Sequence, residues 1–83
     1  MIIHSPKELA MLIVDRRKKL KLSQAKVGKL VGIKQQTISE FEIKPDGTKL
    51  STLFRILAAV NLDIKLLAKD DTAQSKDQWK EEW

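Results

Sequence analysis

Cysteine and tyrosine are absent from these 83 residues, histidine occurs once, proline twice and glycine three times. Without a thiol, disulfides and thiolate metal sites are excluded. His4 stands alone near the start, whereas a metal site needs several donors, so no metal is expected. No glycine-rich loop is present to cradle a phosphate, and no catalytic residue, cofactor or enzymatic activity is expected. No apolar run approaches the roughly 20 residues of a membrane span. The N-terminus also lacks the basic, apolar, small-residue pattern of a signal peptide. A cytoplasmic location without a membrane partner follows as the expectation.

What the chain does contain is lysine and arginine, 16 residues against 11 acids, a net charge of +5. The excess is unevenly placed. The last 15 residues hold three lysines and five acids, which leaves 13 bases against 6 acids in residues 1–68, a net of +7. A basic body suits a polyanion, and an acidic tail suits some other partner. Residues 1–68 are read as one folded domain, small for a single core, and residues 69–83 as a flexible tail. Residues 70–78 hold no large apolar side chain, so they are expected to be disordered when free. Trp79 and Trp83 then place half of the four aromatic residues in the last five positions. They either fold back on the domain or anchor a partner. Tryptophan is enriched among interface hot spots, and an acidic linker ending in aromatics favours the anchor reading.

Ser5-Pro6-Lys7-Glu8 is a helix start, with a capping serine, a proline suited to the first position and an acid three residues on. Leu9, Leu12, Ile13 and Leu20 follow at helical spacing, predicting a first helix over 6–20. Ser23 caps a second helix, about 24–31, burying Val27, Leu30 and Val31, and a third covers about 35–43. Lys44-Pro45-Asp46-Gly47 is turn chemistry. A fourth helix opens at Thr48 or Lys49, with Leu50, Leu53, Phe54, Leu57 and Val60 as its apolar stripe and Asn61 as a left-handed stop. The period then changes. Leu62-Asp63-Ile64-Lys65-Leu66 alternates apolar and polar, a half-buried strand with Leu62, Ile64 and Leu66 on one face. A lone strand needs a neighbour. The candidates are Met1-Ile2-Ile3-His4 or the same strand of a second subunit.

Ser23 to Glu42 carries the strongest signal. Two short helices meet at Gly32, where glycine permits a left-handed turn, and small Gly28 lets them approach closely. That is a helix-turn-helix pattern, whose second helix presents its N-terminal side chains to the major groove of DNA. Gln35 and Gln36 can each pair bidentately with adenine, Lys34 can reach guanine or a phosphate, Thr37 can touch a thymine methyl, and Ser39 lies on the same side. Ser23 and Gln24 open the second helix, where free amides suit a phosphate, and Lys26, Lys44 and Lys49 are further backbone contacts. Arg17 and Glu42 read differently, as an internal ion pair bracing the first helix against the third. The fold expected is all-α, four helices plus one short strand.

Residues 16–42 resemble the Cro/phage-repressor class of helix-turn-helix domains, the lambda-repressor-like fold. The resemblance rests on Arg17, Leu22-Ser23-Gln24, Gly28, Gly32-Ile33, Thr37-Ile38-Ser39 and Glu42, and Arg17 and Glu42 hold the positions of that class's inter-helix ion pair. Gly28 departs from the usual alanine, and is expected to soften the second helix by up to about 1 kcal/mol. A narrower resemblance runs through Ser5-Pro6, Gly32-Ile33-Lys34-Gln35, Phe41-Glu42, Pro45-Asp46, Phe54-Arg55-Ile56-Leu57 and Glu82-Trp83. These residues resemble the HipB-type antitoxins, homodimers that repress their own operon and bind HipA-type serine/threonine kinase toxins. The resemblance implies a palindromic operator read by Lys34, Gln35 and Ser39, a 62–68 strand pairing between subunits, and a tail that engages the kinase through Trp83. Gln36 replaces a smaller residue common in that family, which puts the operator preference in doubt. The alternative is a stand-alone phage-like repressor with no toxin.

Overall fold

Ser5 opens the first helix, α1, Pro6–Lys19. Its Oγ accepts from the Glu8 N–H at 3.1 Å. Glu8 reaches back beyond the serine and accepts from the His4 N–H at 2.7 Å. Four bases, Arg16 to Lys19, occupy the last turn, where positive charge complements the exposed carbonyls. The computed structural model describes residues 2–69, and the expected tail contacts of Trp79 and Trp83 lie outside them. Three more α-helices follow among the described residues: α2, Gln24–Val31, α3, Gln35–Ile43, and α4, Leu50–Ala59, with a 3₁₀ turn at Pro45–Gly47 between the last two. Ser23 caps α2 by accepting from the Lys26 N–H at 3.0 Å.

Two helices end alike, and neither end uses glycine. After α1, the Lys21 and Leu22 amides bond back to the Lys18 and Arg17 carbonyls; after α4, Asn61 and Leu62 bond back to Ala58 and Leu57. Lys21 and Asn61 both take φ of 58°, the left-handed residue this type of helix end requires. Leu22 and Leu62 then turn inward onto the core.

That core is Ala10 and Ile13 of α1, Val27 of α2, Ile38 and Phe41 of α3, and Ile56, Leu57 and Val60 from α4 and its cap. α2 packs on both α3 and α4, while α1 packs on α3 and the 3₁₀ turn. The apolar periodicity of the sequence named the helices but misplaced some of their faces. Leu20 and Leu30 are exposed, as are Leu50 and Phe54, at 70% and 56%. α4 instead buries Ile56 beside Leu57. Leu50 and Phe54 sit about a quarter turn around the helix from that face, so they form a second apolar strip turned outward.

Residues 62–68 pair with nothing, and no strand occurs among the described residues. The reason is physical: a ladder needs a second strand, and Ile2 to His4 make no backbone bonds to this segment. The strand that the alternation suggests thus finds no partner among the described residues.

Gly28 is stricter than a small residue. A Cβ built there would run into the Ile33 carbonyl oxygen and come within 3.5 Å of the Gln35 amide nitrogen. The turn closes over this point, with the Ile33 N–H donating to the Gly28 carbonyl at 2.9 Å. The expectation that Gly28 merely softens α2 is thus corrected, because backbone atoms occupy the space alanine needs. Gly28→Ala gains about 1 kcal/mol of helix propensity but must pry the turn open. We expect a net loss, read as a melting temperature lower by roughly 4–8 °C per kcal/mol lost. A variant that melts higher would show that the turn yields freely.

Candidate nucleic-acid interface

α3 begins without a side-chain cap, Lys34 standing at the N-cap position in an extended conformation. No side chain caps its first amides, so the positive end of the helix is not neutralised from within the domain. Lys34, Gln35 and Gln36 are exposed, and Thr37 and Ser39 are half-buried. The helix is held from behind by Ile38 and Phe41, 1% and 3% exposed. A short helix anchored on its inner face, with two unpaired glutamines at its free end, can insert those side chains between the strands' phosphates and reach base edges.

Behind it lies a polar brace. Arg17 grips Glu42 with two donors, Nε to Oε2 at 2.7 Å and Nη2 to Oε1 at 3.0 Å. The third guanidinium nitrogen, Nη1, donates to the Leu22 carbonyl at 2.9 Å. The two side chains are 12% and 9% exposed, so the pair is nearly closed to water and its bidentate geometry is of the strong kind. Gln24 joins it, donating from Nε2 to Glu42 Oε1 at 2.8 Å. Three elements, α1, α2 and α3, therefore meet on one carboxylate.

Gln24 accordingly sits differently from its expected place. Its amide is half-buried and committed to Glu42 rather than free for a phosphate, which leaves its second amide hydrogen and the backbone N–H of the helix start for that contact. Ser23, Lys26, Lys44 and Lys49 are exposed, and the three lysines have no ion-pair partner among the described residues. Lys44 and Lys49 flank the 3₁₀ turn that follows α3. Two contacts had no signal in the sequence. One is the Gln24–Glu42 bond; the other is Arg16, whose Nε donates to the Val60 carbonyl at 3.1 Å. No cluster of metal-binding side chains occurs among the described residues, and no helix there is long and apolar enough to cross a membrane.

The comparisons with known proteins agree with this geometry. Residues 13–67 match the HTH_3 helix-turn-helix family. The chain is 40% identical over 82 residues to antitoxin HipB of Escherichia coli, covering 98% of this chain and 93% of that protein. Among solved structures, a chain of the HipA–HipB–O2–O3 complex matches with a TM-score of 0.82 at 38% identity, over 84% of this chain and 99% of its own. A chain of the HipB–O4 20mer complex matches with a TM-score of 0.81 at 38% identity, over the same shares of the two chains.

Proposed function

The chain belongs to the HTH_3 helix-turn-helix family and, within it, to the HipB antitoxins, and on that premise we propose that it is the antitoxin of a HipA-type pair. In this reading it is a homodimer that represses its own operon and also binds and inhibits a HipA-type kinase. The observation that carries the proposal is the reach of the similarity. A stand-alone phage-like repressor would share the helix-turn-helix core, whereas this chain matches HipB over 93% of that protein's length.

The described residues supply the DNA-binding half. Gln35 and Gln36 read base edges, with Lys34, Thr37 and Ser39 beside them, and Ser23, Gln24, Lys26, Lys44 and Lys49 hold phosphates. Dimerisation uses the outward strip of α4, where Leu50 and Phe54 lie exposed, together with Ile64 and Leu66 of the 62–68 arm, 43% and 89% exposed. Apolar groups in this density are what an obligate interface covers. Two copies related by a two-fold axis then place two α3 helices in major grooves about 34 Å apart. The toxin half falls to Trp79 and Trp83. No step of chemistry is assigned to the chain, which acts by binding alone.

The test is co-expression with the HipA-type kinase encoded beside it. The kinase is expected to co-purify, and the pair to protect a palindromic promoter site whose binding weakens steeply with salt, because the +7 body displaces counterions. Protection without any retained kinase would favour the stand-alone repressor.

A further inference from the structure

Adjacent arginines on α1 bond to different helices, Arg17 to α3 and Arg16 to the end of α4. Arg17 braces the reading helix through Glu42, as described above. Arg16 reaches instead to the end of α4, where its Nε donates to the Val60 carbonyl across a sequence separation of 44 residues. Val60 is fully buried, and its carbonyl belongs to the last turn, among the groups a helix cannot satisfy internally. A guanidinium there also meets the negative end of α4 while standing in the last turn of α1, so one charge serves two helix ends. Immediately beyond, Asn61 takes the left-handed conformation and Leu62 folds back to bond the Leu57 carbonyl at 2.9 Å. Three consecutive residues, Val60, Asn61 and Leu62, thus fix the direction in which residues 63–69 leave the domain.

We propose that Arg16 is a positioning residue for the dimer arm, and that through the arm's exit direction it sets which spacing of operator half-sites the dimer accepts. The inference rests on the dimer reading above. Its physical basis is leverage: one base pair changes half-site separation by about 3.4 Å and their relative rotation by roughly 34°, so a loosened arm blurs spacing rather than base preference.

The experiment uses the full chain and a panel of duplexes carrying two half-sites separated by spacers that differ in single base-pair steps, with a lone half-site as reference. The wild type is expected to favour one spacing by about tenfold or more. In Arg16→Gln that preference should shrink to about threefold or less, while binding to the lone half-site and base preference stay put. Arg16→Lys, which keeps the charge, should recover part of the preference. Asn61→Gly provides an independent arm, since glycine holds the same φ without strain yet frees the exit; it should flatten the profile with Arg16 intact. An unchanged profile in Arg16→Gln overturns the proposal whatever Asn61→Gly does, as does a uniform loss at every spacing and at the lone half-site. Sedimentation of the wild type separates the premise from the inference: a monomer there removes the dimer reading itself, and this proposal with it.

Discussion

Glu42→Ala is expected to lower the melting temperature by roughly 12 °C or more. The substitution strands the Arg17 guanidinium, which is 12% exposed and keeps only the Leu22 carbonyl, and deprives the Gln24 amide of its acceptor. Removing one member of a nearly buried pair costs about 3–5 kcal/mol, and each kcal/mol is worth about 4–8 °C in a domain of this size. Against a total stability of roughly 5–15 kcal/mol that is a substantial share. The loss comes from the stranded charge, so replacing both partners by apolar residues, Arg17→Met with Glu42→Leu, should restore a good part of it. Thermal melts of the two singles and the double decide the matter. A wild-type melting temperature in Glu42→Ala would show that the brace contributes nothing. At temperatures where Glu42→Ala remains folded, its base preference should match that of the wild type, because Glu42 faces inward.

The parts of this architecture that were legible in the sequence are the local ones. Ser5, Ser23, Gly32 and Asn61 act within a few residues of themselves, and all four stand at the helix ends where a linear reading puts them. Lys21 takes the same left-handed role as Asn61 without any residue type to announce it. Orientation was harder. The spacing of Leu50, Leu53, Phe54 and Leu57 identifies α4, but spacing alone cannot say which flank of an apolar face meets the core and which meets another molecule. Ile56, outside the stripe read from the sequence, took the buried place. Long-range bonds were legible only where a recurring pattern marked them, as with Arg17 and Glu42. The Gln24–Glu42 and Arg16–Val60 bonds span 18 and 44 residues, and nothing near either end hints at the other. Residues 62–68 form no strand in the single chain. Their alternation reads as a half-buried strand, and a strand needs a partner that these residues do not find in the domain. The exposure of Gln35 and Gln36 followed from their place at the start of a short helix, away from the Ile38 and Phe41 face that meets the core.

Removing those glutamines should therefore cost recognition without costing the fold. Gln35 and Gln36 are exposed and bond to nothing among the described residues, so alanine at either site should alter stability by no more than about 0.5 kcal/mol. If each pairs bidentately with an adenine, its loss costs about 1–3 kcal/mol of discrimination, or roughly a 5- to 150-fold weaker preference at one position of each half-site. Because a symmetric dimer reads two half-sites, the total affinity for the operator falls by up to the square of that factor. Selection of sites from random duplexes would show it as a lost adenine in both halves, at different positions for Gln35→Ala and Gln36→Ala. Lys44→Ala provides the contrast: a lost phosphate contact in each subunit should weaken all sequences alike and reduce the salt slope by about two. Gln36 carries the further weight that the resemblance to the HipB family places a smaller residue there. Its removal should broaden what this chain accepts, whereas Gln35→Ala should abolish the contact that the resemblance implies for Gln35. Identical selected sites for the wild type and both alanine variants would mean that α3 does not read the bases, whatever its exposure, and the assignment of the recognition surface would have to move to another element.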